Sequence, residues 1–518
     1  MHYSAARNPG KEVVYAGSKG LKFGICLIIL AVGVFYLSTI RSGHPWGDDF
    51  SLYILHAINI AEGRAYDQTG YLFNLSYPLT GPPTYPPVFP LLLTPIYRIL
   101  GLNMTAMKVE VILLFLIFLY AAWLTFRDRL PTPYILLLIG AIGFNPYFWD
   151  FKDGVNSDLP FLPFLYITFY LVRRNYEDRE ARTAGIADVL LISLMIYLSY
   201  GIRSVGILIV PCLILYDLLR LRKVSAFTIR TTLATGILVL IQNLIFHSDA
   251  SYIPAVGFTS HGGWTESLSA WLMILKSNFI EYGRAISDLW ENGYSRPGRI
   301  ALFLIVTPLA GAGYLLKLRE RLTVLEIYLP VYLTAIMIVP AAGGGRYLFP
   351  VVPLYLFYAL YGLRELSVRL QLEPRPLYLA ILLIGAVYLL RYSTLPFGPM
   401  TSGVGTKPAQ EMFSYIRTET GKDEAVIFSK SRALALFAGR SASPVRFSGN
   451  DREILRYITD ICAGYLVSGP PGLNPAYDAG LEEFVRRNRE RMKEVFSNGE
   501  FRIYKFNADL RCERLLTR

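Results

Sequence analysis

Residues 21–40 read LKFGICLIILAVGVFYLSTI, and Lys22 is the one charged residue among them. A helix of about 20 apolar residues spans the hydrocarbon core of a bilayer. Lipid offers no partner to free backbone N–H and C=O groups, so a run that crosses it must be helical. The run lacks a small-residue cleavage site, and Phe35, Tyr36 and Leu37 continue it. We therefore expect a retained membrane span and not a cleaved signal peptide.

Further apolar runs follow along the whole chain. The 518 residues are 53% hydrophobic with a mean hydropathy of +0.38, which is too apolar for a soluble protein of this size. The sequence predicts a mainly α-helical polytopic membrane protein. We place about eleven spans at residues 21–40, 105–126, 131–148, 159–172, 187–200, 204–218, 228–246, 300–316, 324–340, 347–363 and 377–392.

Lysines and arginines gather in alternate short loops between these runs. The net charge of +12 would suit a nucleic-acid-binding protein, but its spread over separate loops argues against that class. The positive-inside rule makes the basic loops cytoplasmic. An odd number of spans then places the N-terminus inside and the C-terminus outside. The loops in question contain Lys19, Lys22, Arg127, Arg129, Arg173, Arg174, Arg179, Arg182, Arg220, Arg222, Lys223, Lys317, Arg319, Arg321, Arg364, Arg369 and Arg375.

This topology divides the chain into three parts. Residues 1–20 are the cytoplasmic N-terminus, and residues 21–393 are a transmembrane domain. Two long outer loops, 41–104 and 247–299, belong to that domain. Residues 394–518 are an extracytoplasmic domain. We expect an integral protein of a bacterial or archaeal plasma membrane.

The outer segments contain shorter elements than the spans. Apolar residues recur at helical spacing from Phe50 to Ala61, which predicts a helix lying flat on the membrane. Residues 88–100 form a second helix candidate, which follows two prolines. The C-terminal domain alternates helical and strand patterns, which predicts a small α/β domain. Its predicted helices are 409–418, 451–462 and 480–493, and its predicted strands are 425–429, 465–468 and 501–506.

The first acidic candidate is Gly47-Asp48-Asp49, directly after the first span. Ionisable residues at a membrane boundary are candidates for function. The structural interpretation is helix capping, with Asp48 as N-cap and Asp49 favouring the dipole of the first turn. The two interpretations are compatible.

The second acidic candidate is Asn156-Ser157-Asp158, just outside the fourth span, with Asp150 and Asp153 nearby. Its structural interpretation is a solvated loop in which Asp158 caps the following helix. Its functional interpretation is a carboxylate with a perturbed environment at a binding site.

Two arginines stand at outer ends of spans. Arg203 interrupts the apolar stretch between the fifth and sixth spans, and Arg346 follows a run of three glycines. Either side chain can snorkel to the interface. Burial of Arg203 without an anionic partner would be costly, and the planar fork of an arginine suits a phosphate.

Histidine and cysteine give weaker signals. His44, His247 and His261 all lie on the outer side but show no tight metal-ligand spacing, so a zinc site is only weakly supported. Cys26 and Cys212 lie within spans. Cys462 and Cys512 lie in the outer domain, and the sequence leaves open whether they pair.

Several short motifs occur in order along the chain: GDDFSLY at 47–53 with AEGRAY at 61–66, YPPVFPLL at 85–92, SDLPF at 157–161, GIRSVG at 201–206 and RYLFP at 346–350. Together they resemble the motifs of C-type glycosyltransferases, and in particular the bacterial protein-mannosyltransferase-like branch related to aminoarabinose transferases. The resemblance covers roughly residues 20–395, and the C-terminal domain resembles the soluble outer domain of many members. Asp158 stands where Glu is common, and Tyr85 stands where aminoarabinose transferases have Lys.

The resemblance implies an inverting transfer of a sugar from a polyprenyl-phosphate donor to an extracytoplasmic hydroxyl, or less often an amine, on a protein, lipid or polysaccharide. Asp48 would be the general base, and Asp49 would orient it or the acceptor. Arg203 and Arg346 would stabilise the leaving phosphate. Asp158 and Tyr85 would bind substrate. No cofactor beyond the donor is certain, and a divalent metal is left open.

The competing hypothesis is a lipid-sugar flippase or a membrane sensor with an outer α/β domain. A transporter is expected to bury charges near the bilayer midplane or to show repeated halves. The sequence shows neither, since its candidate charges lie at outer span ends. A cavity that joins Asp48, Asp158 and Arg203 would favour the enzyme. The loop 247–299 would then lie over the site as a lid.

Overall fold

The computed structural model describes residues 19–178, 185–246, 264–339, 344–447 and 450–507. His247, His261, Arg179, Arg182 and Cys512 lie outside these ranges. The membrane domain consists of helices α1 (Lys19–Ser38), α2 (Asp49–Glu62), α3 (Val88–Leu100), α4 (Met104–Phe126), α5 (Thr132–Gly143), α6 (Pro146–Phe151), α7 (Asp158–Val172), α8 (Ile186–Ile202), α9 (Ile209–Arg220), α10 (Ala226–Phe246), α11 (Trp264–Asp288), α12 (Arg296–Glu320), α13 (Val324–Met337), α14 (Val352–Arg369) and α15 (Arg375–Tyr392). Turns of 3-10 helix lie at Pro78–Thr80, Ser204–Leu208 and Gly344–Leu348, and a π-turn at Arg173–Glu177.

Each predicted span overlaps a described helix over most of its length, although Pro340, the last residue of one span, lies outside the described residues. This overlap confirms the mainly helical fold class. Six helical stretches among the described residues are long and apolar enough to cross a membrane: α1, α4, α5 with α6, α10, α12 and α15. Shorter apolar helices include α8 and α13. Large apolar side chains such as Phe23 and Leu382 are exposed along these helices, as expected of surfaces that face lipid.

Three predicted spans are less regular than expected. The span at 131–148 is broken between α5 and α6, because Pro146 has no N–H to donate and the Asn145 side chain accepts from the Tyr147 N–H at 2.9 Å. The spans at 204–218 and 347–363 each begin with a 3-10 turn, and regular helix starts only at Ile209 and Val352. Both turns belong to the candidate site.

Close helix packing in the membrane domain depends on small residues. A Cβ on Gly313 would lie 2.0 Å from the Tyr358 carbonyl oxygen, and one on Gly362 would lie 2.3 Å from the Leu309 carbonyl oxygen. Only glycine lets α12 and α14 approach so closely, as is common between helices in membranes.

Helix α2 differs from the predicted surface helix. Phe50, Leu52, Ile54 and Ala57 are fully buried, and so is His56 on another face of the helix. The helix packs against α3 on one side and against the C-terminal domain on the other. The helix is therefore enclosed by protein on several faces, which contradicts a helix that rests on the membrane through one apolar face.

The C-terminal domain is the predicted α/β domain, with helices α16 (Lys407–Glu419), α17 (Ser431–Ala438), α18 (Asp451–Asp460) and α19 (Pro475–Arg487). Its strands are β1 (Ala425–Ile427), β2 (Ala442–Ser443), β3 (Ala463–Ser468), β4 (Met492–Ser497) and β5 (Arg502–Phe506), in the sheet order β2-β1-β3-β5-β4. The strands β2, β1 and β3 are parallel, and β5 pairs antiparallel with β3 and β4.

Sequence patterns missed α17, β2 and β4 in this domain. Helix α17 has only 8 residues, too few for helical periodicity to stand out. The helix predicted at 480–493 ends at Arg487, and Met492 already belongs to β4, which pairs with β5. Tertiary pairing therefore overrides the local helical pattern.

Candidate active site

Asp49 is the first residue of α2, and its carboxylate is bound from three directions. The Arg346 guanidinium donates to Oδ2 from Nη2 at 2.6 Å. The Tyr85 hydroxyl donates to Oδ1 at 2.7 Å, and Arg432 Nη1 donates to the same oxygen at 3.1 Å. Burial raises the pKa of Asp49, but the attraction of the two arginines outweighs it and holds this pKa well below its usual range. Asp49 is therefore ionised at neutral pH.

A second ion pair joins the first residue of α7 to the residue that follows α8. Arg203 Nη1 donates to the Asp158 carboxylate and, at 3.2 Å, to the Ser157 hydroxyl. The side chain of Asp158 is only 3% exposed and that of Arg203 is 16% exposed. Arg203 is thus held by a buried carboxylate, which excludes the interpretation that it only snorkels to the interface.

Tyr347 lies between the two pairs. The Arg203 guanidinium is 5.4 Å from the centre of the Tyr347 ring, and the Arg346 guanidinium is 5.7 Å from it. An aromatic face stabilises a nearby cation. The Tyr347 ring, which belongs to the turn Gly344–Leu348, therefore lies close to both cations.

A cavity of about 250 Å³ is lined by Asp49, Tyr85, Arg203, Arg346 and Tyr347. Its polar wall contains Asp49, Tyr85, Ser157, Arg203 and Arg346. Its remaining wall is mostly apolar and comes from the segment around α9 and from the end of α13: Ile202, Val205, Leu208, Ala335, Ile336 and Val339. A cavity lined by both cations and apolar side chains suits an anionic amphiphile.

Asp48 faces away from this cavity. Its Oδ1 accepts from the Ala433 backbone N–H at 3.1 Å, and its Oδ2 accepts from the Arg432 backbone N–H at 3.4 Å. The carboxylate thus caps helix α17 and makes no side-chain cap on its own helix α2. Burial raises the pKa of Asp48 despite the opposing attraction of Arg432. The sequence predicts a cavity that joins Asp48, Asp158 and Arg203. In the structure, Asp49 lines the cavity instead of Asp48. Asp158 does not line it, but binds Arg203, which does.

Arg432 is the site residue that sequence analysis missed. Its side chain is fully buried, and it contacts Asp49 and the Tyr85 hydroxyl, the latter at 3.2 Å. One signal existed in the sequence, a charge directly before the apolar run ALALF at 433–437. That signal does not say which carboxylate the charge meets.

Other predicted candidates have structural roles. His44 stacks on Phe50 at 3.7 Å, and its Nε2 accepts from the Val155 N–H at 2.9 Å. Asp153 is buried and bound by Arg41 and Lys152 at 2.7 and 2.6 Å. These contacts hold the chain between α1 and α2 against the loop before α7.

No group of three or more His, Cys, Asp or Glu side chains within the described ranges is placed to hold a metal ion. Divalent cations such as Mg²⁺ and Ca²⁺ prefer several carboxylate or carbonyl oxygens. The Asp49 oxygens instead meet two arginines and a tyrosine hydroxyl. The residues present do not form a metal-ligand set at this carboxylate.

Solved structures of two membrane enzymes share this architecture. The oligosaccharyltransferase AglB from Archaeoglobus fulgidus, in complex with an inhibitory peptide and a dolichol-phosphate, matches with a TM-score of 0.56 and 12% identity over 87% of this chain and 70% of that chain. ArnT from Cupriavidus metallidurans, bound to undecaprenyl phosphate, matches with a TM-score of 0.55 and 12% identity over 96% and 99%. No protein-family model and no curated protein matches the chain. Both neighbours are C-type glycosyltransferases, so the likeness confirms the fold that the motifs implied, and this chain has the C-type glycosyltransferase fold.

Proposed function

We propose that the protein is an inverting glycosyltransferase, which moves a sugar from a polyprenyl-phosphate donor to an extracytoplasmic acceptor. The observation that carries the proposal is one cavity that is lined both by two arginines and a carboxylate and by apolar side chains. A polyprenyl-phosphate sugar has the matching chemistry, with an anionic phosphate between a sugar and an apolar tail. Both neighbouring enzymes were solved with a polyprenyl phosphate of this kind.

Arg203 and Arg346 are the proposed phosphate ligands. When the glycosidic bond breaks, the bonding pair stays on the phosphate oxygen, and fixed cationic donors stabilise the charge that develops there. Asp158 and Tyr347 hold these guanidinium groups in place before the donor binds. The apolar wall beside α9 and α13 would receive the first isoprene units.

Asp49 is the proposed base, in place of Asp48. The acceptor oxygen attacks the anomeric carbon, and its proton passes to a carboxylate within hydrogen-bond reach. Asp49 lines the cavity, whereas both oxygens of Asp48 are directed at backbone N–H groups of α17. The donor phosphate competes with Asp49 for Arg346, and this competition raises the basicity of the carboxylate when the donor is bound. Tyr85 then keeps Asp49 oriented through its 2.7 Å hydrogen bond.

The placement of the charges favours an enzyme over a flippase. Asp49 and Asp158 are the first residues of α2 and α7, and Arg203 directly follows α8. The site charges thus gather at helix ends and not at the middle of a span, where a transporter would place its substrate. Helix α11 packs against the turn that carries Arg346, so part of the predicted lid segment does lie beside the site.

Purified protein, supplied with an envelope extract of the host cell as the source of acceptor, should transfer the sugar and release polyprenyl phosphate from at least one donor in a panel of undecaprenyl-phosphate hexoses, hexuronic acids and pentoses. The wild type and the Arg203→Met/Arg346→Met variant would be compared by mass spectrometry of the lipid product. Mass spectrometry of surface glycans and glycoproteins, from cells with and without the gene, would identify the acceptor. Cells that lack the gene but show unchanged surface glycans, together with no lipid product from any donor, would contradict the proposal.

We further propose that the site and the C-terminal domain face outward, as the basic loops predict. A membrane-impermeant maleimide should label Glu500→Cys in intact cells, because Glu500 is exposed on that domain. It should label Lys223→Cys, in the exposed loop after α9, only after permeabilisation. Wild-type protein labelled in parallel gives the background of the native cysteines. The opposite pattern would mean that the orientation is inverted.

A further inference from the structure

The C-terminal domain reaches the candidate site through Arg432. This residue is in the first turn of α17, and its side chain is fully buried against the segment between α2 and α3. Nη2 donates to the Pro82 carbonyl oxygen at 2.9 Å, and Nη1 donates to Asp49 and to the Tyr85 hydroxyl. The guanidinium also lies 4.5 Å from the centre of the Tyr71 ring. One side chain of the C-terminal domain therefore contacts both Asp49, the proposed general base, and Tyr85, which orients Asp49.

The membrane domain in turn binds the C-terminal domain through Asp48. Asp48 of the membrane domain accepts from the backbone N–H groups of residues 432 and 433, at the N-terminus of α17. A carboxylate at that end of a helix is stabilised by free N–H groups and by the helix dipole. Two consecutive aspartates thus bind the same helix, one through its backbone and one through its Arg432 side chain.

The loop before α3 is shaped to admit the guanidinium. Gly81 has φ +105°, which disfavours any residue with a Cβ, and a Cβ built there would lie 2.8 Å from Arg432 Nη2. The same loop also pairs with the edge of the sheet in the C-terminal domain. The Leu72 N–H donates to the Ala442 carbonyl oxygen, and the Ala442 N–H donates to the Gly70 carbonyl oxygen, both at 2.9 Å. The domain is therefore docked by backbone pairing as well as by the arginine.

Arg432 is one of the two arginines whose positive charges are paired with the Asp49 carboxylate. Asp49 is faced by Arg346 from the turn before α14, by Arg432 from α17, by Tyr85 from the segment before α3 and by the adjacent Asp48. Lys430 also acts on Asp48. Without Arg432, Asp49 would keep its ion pair with Arg346, and Asp48 would keep only the weaker attraction of Lys430. Each carboxylate then opposes ionisation of the other.

We propose that Arg432 is a positioning residue for Asp49, so that the C-terminal domain completes the active site. The inference rests on the proposed function for its kinetic consequences. Arg432 itself lies outside the cavity lining and acts through Asp49 and Tyr85. It holds the Asp49 carboxylate toward the cavity and keeps it ionised.

The test compares Arg432→Met, Arg432→Lys and the control Arg440→Met, with release of undecaprenyl phosphate from the active sugar donor as the assay. Arg440 lies two residues after the end of α17, but its hydrogen bonds go to Arg417, Thr420 and Gly439 of its own domain. Small displacements of a reacting group cost up to about 10²-fold in rate. We therefore expect a 10- to 100-fold lower kcat for Arg432→Met with little change in donor KM.

The pH profile separates positioning from simple loss of structure. Asp49 is active in its ionised form, so kcat falls at low pH, where Asp49 becomes protonated. Removal of a neighbouring cation raises the pKa of Asp49. In Arg432→Met, this acidic limb of the kcat profile should therefore move to higher pH by about one unit. Arg432→Lys keeps the charge and should leave that limb near the wild-type position. Arg440→Met should leave both kcat and the limb unchanged.

Hydrogen exchange gives a readout that needs no substrate. Backbone amides in 48–53 and 81–87 should exchange faster in Arg432→Met than in the wild type or Arg440→Met. Unchanged exchange there, or an active Arg432→Met with the wild-type kcat and acidic limb, would overturn the inference. A wild type that releases no lipid phosphate would instead count against the proposed function, while the exchange result would still decide whether Arg432 orders the Asp49 segment.

Discussion

Asp49→Asn should lower kcat by about 10²- to 10⁴-fold, which is the usual cost of losing a general base. The substitution removes the proton acceptor from the cavity wall. The amide oxygen is still able to accept from the Tyr85 hydroxyl, so the start of α2 should keep its place. Purified variant protein should bind undecaprenyl phosphate at least as well as wild type, because Arg346 is freed from its 2.6 Å contact with Asp49. Turnover and lipid binding would be measured on the same preparation.

Asp48→Asn is the matched control, since it changes the neighbouring residue in the same way. Asn caps a helix about as well as Asp, so Ala433 keeps an acceptor for its N–H. We expect less than a tenfold loss of kcat and a small change in melting temperature. The reverse ranking, with Asp48→Asn nearly inactive and Asp49→Asn active, would restore Asp48 as the base, as the motif resemblance implies.

Arg203→Met should raise the donor KM by about 10- to 100-fold, because hydrogen bonds to a charged group contribute roughly 1.5–3 kcal/mol each. The same change leaves Asp158 buried without its cation. Loss of one partner from a buried ion pair costs about 3–5 kcal/mol of stability. The single variant should therefore melt at a lower temperature as well as use the donor poorly. Activity alone would not separate these two effects.

The double variant Arg203→Met/Asp158→Asn separates them. It removes both charges and keeps similar side-chain volumes, so the melting temperature should return toward that of the wild type. The donor KM should stay high, because the phosphate ligand is still missing. A double variant that recovers the wild-type KM would show that Arg203 acts only as the partner of Asp158.

Sequence motifs located most of the candidate site, but they did not assign its geometry. Asp49, Tyr85, Arg203 and Arg346 were all predicted as site residues, and all four line one cavity. The ranking of Asp48 over Asp49 came from the resemblance. Successive side chains on a helix point in directions about 100° apart, so the orientation of α2 decides which aspartate faces the cavity. That orientation depends on packing against α3 and α17.

The sequence by itself determined the membrane-spanning helices of this protein, because about 20 consecutive apolar residues demand lipid and helix wherever they occur. It also determined the α/β character of the C-terminal domain, through local alternation of patterns. Only the tertiary structure decided that α2 is buried, that Asp48 caps a helix of the other domain and that Arg432 meets Asp49 across 383 positions of the chain. The physical reason is that hydropathy and capping act between near neighbours. The partner of a buried charge is instead selected by the packing of distant elements, and no local pattern records it.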